Sequence, residues 1–328
     1  MLPNRSKVRP TKTQATILSY EKTYRQLKKR CAIFYDTDNN SINPDLVNSW
    51  FMIIGDEFSQ STWRQYKAAI MQAYENDISN YSHEHAILEK KSSRALQVHS
   101  KRTSGKKLKC VIPEAWRLLA SKLNARARGG YRYSEGLLNI LQASLATGLR
   151  PTEWFRCRIA IHAIDGRKIL EVQNAKHSNG RANGKFRAIY LDKLPPDDFR
   201  AVTSAVMFCD TDEDKALSLL VSLRNELYRA KLALKKDNVM LCQNVAMYSF
   251  RHQCIADAKC TFSSGSSTAA LVGHNSIHTA WRHYAKRKNS NRKLNVSPTQ
   301  ESIDAVCNLG MVCTTSFPAN KNDHNVVK

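Results

Sequence analysis

Residues 146–153 read Ala146-Thr147-Gly148-Leu149-Arg150-Pro151-Thr152-Glu153. A helix is expected over 134–146, ended at Gly148 by glycine's freedom for positive φ. Arg150 then stands at the start of what reads as the next helix, with Glu153 one turn further on. Alone, such an arginine would more often cap a helix or pair with Glu153. Three other stretches share its character. Tyr248-Ser249-Phe250-Arg251-His252 puts an arginine within a helix start, and Leu271-Val272-Gly273-His274 precedes a helix carrying Tyr284, the last tyrosine of the chain. Lys176 lies at the root of an exposed hairpin, with Lys185 as the second lysine of that segment.

Outward from these stretches the pattern is mainly helical. Strands are expected at 158–163, 168–172 and 186–191, the first two joined by an Asp165-Gly166 turn, a strong hairpin signal. The connection over 174–185 is rich in Gly, Asn and Lys and reads as exposed. Helices are expected at 114–127, 197–208, 213–235, 246–259 and 276–288, with a short one at 299–307. Upstream, 13–34 reads as a helix, and Pro44 opens a second through Val47, Trp50, Phe51 and Ile54. Ser61 begins a third with Tyr66, Ile70 and Tyr74 on one face. A fourth is expected at 83–96. The fold class is therefore mainly α with a small antiparallel β-sheet.

At 328 residues the chain is long enough for two domains with cores of their own. An apolar fraction of 42% excludes global disorder. No run of apolar residues is long enough to span a bilayer, the longest candidate being 50–54, and the basic stretch 1–12 lacks the apolar core of a signal peptide. A soluble, intracellular protein is expected. Nine cysteines without a CxxC pair point to reduced thiols rather than a disulfide framework or zinc ribbon.

Lys and Arg total 51 against 28 Asp and Glu, a formal charge of +23. Such a surplus calls for a polyanion, first nucleic acid and second an anionic membrane surface. The charge has two concentrations. Over 90–109 stand Lys90, Lys91, Arg94, Lys101, Arg102, Lys106, Lys107 and Lys109 without any acid, which reads as a strap laid on phosphates. Around and after Tyr284 stand Arg282, Lys286, Arg287, Lys288, Arg292 and Lys293. His274 and His278 share a helical spacing, but with no HExxH glutamate or nearby carboxylate no metal site is expected.

Taken in order, Thr147 to Glu153, Lys176, Arg251-His252, Val272-Gly273-His274 and Tyr284 resemble the tyrosine recombinase (phage integrase) family. Its first box reads Thr-Gly-Leu-Arg-x-x-Glu, and its second region reads His-x-x-Arg-His, then Leu-Gly-His, then a tyrosine nine or ten residues on. Here Tyr284 lies ten residues beyond His274. The resemblance covers about 110–290 strongly and the N-terminal helices only in outline. It implies an α-helical core-binding domain at 1–97, a basic linker at 98–110, a catalytic domain at 111–295 and a tail at 296–328 that packs on a neighbouring protomer. Catalytic residues would be Arg150, Lys176, Tyr248, Arg251, His274 and the nucleophile Tyr284, supported by Glu153 and His252. DNA contacts would come from Arg94, Lys101, Arg102, Lys106, Lys107, Lys109, Arg282, Lys286 and Arg287.

The residue types suit that chemistry. Transesterification at phosphorus builds charge on non-bridging oxygens, to which an arginine offers a planar fork of donors. In the resemblance Tyr284 attacks and forms a 3′-phosphotyrosine, Lys176 protonates the departing 5′ oxygen, His274 hydrogen-bonds the phosphate and Glu153 orients buried basic groups. No cofactor or metal is implied. The partner would be double-stranded DNA with an inverted-repeat core site, bound by dimers that pair into a synaptic tetramer and exchange strands through a Holliday junction. An accessory DNA-binding protein would be possible, and no membrane is involved. A mobile genetic element and the cytoplasm or nucleoid of a prokaryotic host are the implied setting.

One position departs from the pattern. Tyr248 stands where the family's first histidine would be, and a phenol with a reference pKa near ~10 is a poor base at neutral pH. Tyr248 is expected to donate a hydrogen bond to the scissile phosphate instead. His252, about 100° round the helix from Arg251, is not expected to take over the proton. Two alternatives stay open: a DNA-binding protein of the same fold with weak or lost cleavage, and a type IB topoisomerase-like relaxing enzyme.

Overall fold

Thr13 Oγ1 accepts the Thr16 amide at 3.3 Å and opens α1 (Gln14–Tyr35). Asn43 Oδ1 accepts the Leu46 amide at 2.8 Å ahead of α2 (Pro44–Ile53), and Ser59 Oγ accepts the Thr62 amide at 3.2 Å ahead of α3 (Gln60–Glu75). Each cap satisfies one of the amides that a helix start leaves unpaired. With α4 (Ile78–Lys90), these helices enclose Leu27, Val47, Trp50, Phe51, Trp63, Ile70, Tyr74 and Leu88. The fourth helix starts at Ile78 rather than 83. The Tyr81 ring lies 5.3 Å from that of Tyr74, and the helix kinks there.

The structure is a computed structural model that describes residues 12–91, 108–175, 177 and 182–309. The chain divides into two compact units, Met1–Lys106 and Lys107–Lys328. The second unit opens with α5 (Pro113–Arg128) and α6 (Ser134–Thr147). A four-stranded antiparallel sheet follows in the order β1 (Cys157–Ile161), β2 (Lys168–Gln173), β3 (Phe186–Tyr190) and β4 (Ser297–Pro298). Register is set by Ile159 opposite Leu170, Leu170 opposite Ile189, and Ile189 opposite Pro298. Gly166, at φ 70°, turns β1 into β2 at the expected Asp165-Gly166. The fold class is as expected, mainly α with a small antiparallel sheet, and β4 is an addition from the end of the chain.

The remaining helices are α7 (Pro196–Cys209), α8 (Glu213–Lys236), α9 (Met247–Thr261), α10 (Gly265–Val272), α11 (Ile277–His283) and α12 (Gln300–Leu309). α9 runs through the middle of the core: Phe250, Cys254, Ile255 and Ala258 are all buried in it. Val306 and Ile303 of α12 pack on Ala269 and Ala270 of α10. The described part of the 296–328 tail thus packs within its own chain, and 310–328 lie outside the described residues.

Two expectations about helices are corrected. Arg150 and Glu153 do not sit on a helix; 151–153 form a turn, followed by a single 3₁₀ turn at Trp154–Arg156. Pro151 leaves no amide donor there, and the Glu153 carboxylate takes the Arg150 amide at 2.8 Å in the manner of a cap. The helix expected over 276–288 ends at His283, and Tyr284 leaves it in an extended conformation, φ −113° and ψ 172°. No helix among the described residues is long and apolar enough to cross a membrane.

Candidate active site

Gly148 and Gly273 end α6 and α10 at φ 69° and 68°. Both need the left-handed conformation, and both are approached closely. A Cβ on Gly273 would stand 2.2 Å from Asn174 Oδ1 and 2.8 Å from an Arg187 guanidinium nitrogen. The carbonyls freed at these helix ends receive one guanidinium. Arg251, wholly buried on α9, donates to Gly148 O at 2.6 Å and to Val272 O at 2.7 Å. The negative ends of two helices thereby hold one cation in the core.

Glu153 gathers the other charges. Its carboxylate accepts from Arg150 Nη1 at 2.5 Å and Arg187 Nη2 at 2.9 Å, and lies 3.7 Å from Arg251 Nη1. The Ala175 amide adds a bond at 3.2 Å and so fixes the start of the connection after β2. Burial opposes ionisation of Glu153, but the charges of Arg187, Arg150 and Arg251 outweigh it and hold the carboxyl well below the usual range. One carboxylate faces three guanidiniums, so the cluster keeps a positive surplus. Arg150 Nε and Arg251 Nε are buried without a partner. Donors of this kind are suited to an anion.

Arg187 was not legible as a site residue. It is a wholly buried arginine on β3, bonded through Nε to Leu271 O at 3.0 Å and through Nη1 to Asn174. The available signal was parity. Arg187 shares a strand face with Ile189 and Leu191, both buried, and a charge at an inward position needs partners.

Tyr284 completes the group. Its hydroxyl lies 2.7 Å from the Tyr248 hydroxyl, and Arg251 Cζ stands 5.6 Å from its ring centroid. Burial pushes the Tyr284 phenol up, but the Arg251 charge, hydrogen bonds from Tyr248 and Arg251, and the Arg150 charge bring it below its ordinary value. Burial moves Tyr248 the other way, against the pull of Arg251, and the nearby Tyr284 oxygen adds to the rise. Of the two phenols, Tyr284 is thus the one biased toward losing its proton, and the two hydroxyls share one hydrogen bond that either can donate.

Two histidines flank Tyr284, with ring centroids 5.0 Å away for His274 and 4.7 Å for His252. Both are kept neutral. Burial, with the charges of Arg251, Arg150 and Arg187, pushes His274 well below its ordinary value, and burial with Lys109, Arg251 and Lys259 takes His252 down to about 4. Arg251 Nη2 donates to His274 Nε2 at 3.2 Å, so the proton of the neutral ring sits on Nδ1, which is buried without a partner. His252 turns toward Tyr284 rather than away from it. The relevant neighbour is Tyr248, at i and i+4 on the same face, and its ring lies 5.3 Å from that of His252.

The other expected residues divide. Lys109, Lys286 and Arg287 are exposed, and so is Lys185 in the hairpin. Lys176, Arg94, Lys101, Arg102, Lys106 and Lys107 lie outside the described residues, as does the Arg282 side chain. Among the described residues no group of three or more His, Cys, Asp or Glu could hold a metal ion. An open cavity of about 750 Å³ adjoins the site, lined by Arg150, Tyr248, Arg224, Tyr228 and Lys231 among others.

The sequence matches no protein-family model and no curated protein. Among solved structures, the crystal structure of XerH site-specific recombinase bound to difH substrate, a pre-cleavage complex, is similar with a TM-score of 0.44. The alignment covers 79% of this chain and 73% of that chain, at 13% identity.

Proposed function

We propose that this chain is a tyrosine-type site-specific DNA recombinase whose nucleophile is Tyr284. The observation that carries the reading is the meeting of sequence boxes more than a hundred residues apart around one phenol. Tyr248, Arg251 and His274 stand against Tyr284 and Arg150 adds its charge, with Arg150, Arg251 and His274 in the chain order that the family resemblance anticipates, and the phenol is shifted toward ionisation.

In this reading a DNA phosphate enters among Arg150, Arg251 and the Nδ1 proton of His274. Tyr284 gives up its proton to water, its oxygen forms a bond to phosphorus and the bond to the 5′ oxygen breaks, leaving a 3′-phosphotyrosine. The departing oxygen takes a proton from Lys176 or, failing that, from Lys185 of the same hairpin. Donors already aimed at developing charge supply the largest part of such catalysis. A second strand's 5′ hydroxyl reverses the step, so neither ATP nor metal enters. We assign the N-terminal helices and the basic 98–110 strap to grip on the duplex, and paired dimers on inverted half-sites to strand exchange for a mobile element. The +23 charge supports a polyanionic partner.

The test uses the full-length chain and a duplex that it selects from a randomised pool, nicked so that the cleaved end diffuses away. An SDS-resistant protein–DNA adduct is expected, and none with Tyr284→Phe. No adduct with the wild-type chain would sink the reading. Relaxation of plasmids without any selected site, with no recombinants, would replace it with a topoisomerase.

A further inference from the structure

Lys259 is a buried cation that the proposed chemistry does not use. It lies on α9, eight residues beyond Arg251, and is 3% exposed. Burying an ammonium is costly unless it is paired, and among the described ion pairs no carboxylate answers this one. Its Nζ instead donates to the backbone carbonyl of Ala285 at 2.6 Å and stands 5.0 Å from the centroid of the Trp281 ring. Burial lowers its pKa to about 8. Both partners belong to the segment that carries Tyr284: Trp281 is on α11, and Ala285 follows the tyrosine directly.

Local sequence does not explain why that segment leaves the helix. Ala285-Lys286-Arg287-Lys288 are good helix formers, yet α11 stops at His283. What replaces the lost helical bonds is a row of groups on α9. Beside Lys259, Gln253 Nε2 donates to Asn289 O at 2.9 Å and Asp257 Oδ1 accepts the Asn291 amide at 2.8 Å. Lys259 is the member of that row nearest the tyrosine. We propose that Lys259 is a positioning residue for the nucleophile: by holding the Ala285 carbonyl and the Trp281 ring, its ammonium keeps Tyr284 off the end of α11 and beside Tyr248 and Arg251 of the same chain. The consequence for catalysis rests on Tyr284 being the nucleophile; the placement itself does not.

Two readouts separate these. In the full-length chain without DNA, ¹³Cζ-labelled tyrosine reports the Tyr284 hydroxyl, assigned by its loss in Tyr284→Phe. Lys259→Met is expected to move its titration upward, toward the ordinary phenol near ~10. On the selected nicked duplex the same variant should lose adduct rate roughly 10- to 100-fold, the scale of a displacement of about 1 Å, with duplex affinity unchanged. Lys259→Arg, which keeps the charge, should restore both. If Lys259→Met does not fold, Trp281→Leu takes its place and should shift the Tyr284 signal the same way. An unmoved Tyr284 signal in a folded Lys259→Met or Trp281→Leu chain overturns the proposal. A wild-type chain that makes no adduct, with the Tyr284 signal still moved by Lys259→Met, upholds the placement and removes the recombinase reading.

Discussion

Among its described residues the second unit buries two glutamates against arginine, and they are built differently. Glu226 on α8 accepts from Arg126 Nε at 2.7 Å and Nη2 at 3.1 Å, and from Ser134 at the start of α6. One bidentate guanidinium answers one carboxylate, and the group ties three helices together. Glu153 meets three guanidiniums, two of which keep an unpartnered Nε. The first cluster is electrically closed; the second holds a surplus of positive charge that the fold tolerates. It is the open cluster whose Arg251 stands beside the Tyr284 ring.

The largest test is to neutralise each carboxylate. Glu153→Gln leaves three buried guanidiniums without a counter-charge and should cost about 3–5 kcal/mol, as removal of one partner from a buried ion network does. Glu226→Gln keeps one oxygen that can accept from Arg126 Nε and Ser134, loses the Arg126 Nη2 bond and strands a single guanidinium, and should cost less, about 1–3 kcal/mol. Denaturant unfolding measures both. pH sharpens the contrast. Because the folded-state pKa of Glu153 is depressed, its contribution is complete above the unfolded value near ~4.3 and is lost only as pH falls far below it. That acid-side loss should be much reduced in Glu153→Gln. Equal costs for the two substitutions would erase the distinction between the clusters.

These two clusters also mark what sequence reading reaches. Arg150 and Glu153 were legible because they are three residues apart in one turn, and Arg251, His274 and Tyr284 because their order and spacing were. Arg187 was hidden in a strand whose outline was read but whose inward positions were not. Glu226 and Arg126 are a hundred residues apart, and only the packing of α5 on α8 joins them. The exit of Tyr284 from its helix was misread for a physical reason: Ile277, Trp281 and Tyr284 continue a helical stripe, and tertiary bonds from α9 overrule it. Lys259 looked like any lysine near a helix end. α10 begins in a serine-rich stretch without apolar periodicity, so its pattern carries little sign of a helix.

A smaller effect tests where the surplus charge goes. If Arg251 and Tyr248 together favour the Tyr284 phenolate, then Tyr248→Phe removes one hydrogen bond to a charged group, worth about 1.5 kcal/mol or roughly tenfold. Because Tyr284 is the group whose pKa is depressed, losing that bond should raise the midpoint of the adduct-rate pH profile and lower the rate at neutral pH. Arg150 and Glu153 after α6, Arg187 on β3, His274 after α10, and His252 and Arg251 on α9 stay in place, so the shift belongs to the phenol pair. An unchanged midpoint would mean that the proton between the two hydroxyls does not matter to cleavage.

The smallest effect concerns the neutral rings that the surplus requires. His252 is held down to about 4, against an ordinary value near ~6.5. A histidine whose folded pKa is depressed contributes stability that is complete above ~6.5 and is lost as pH falls through the folded value, since only the unfolded chain protonates readily in between. His252→Phe keeps a ring against Tyr284 and takes up no proton. It should therefore flatten part of the fall in melting temperature between pH 6.5 and 4 while changing the adduct rate at neutral pH only slightly. His274 lies deeper, bonded to Arg251, and shifts in the same direction, so a residual slope should survive in the variant. A slope that is not reduced at all would mean that His252 is solvated and that the positive cluster does not reach it. A complete loss of adduct would instead make His252 the proton acceptor that the Tyr248 position lacks.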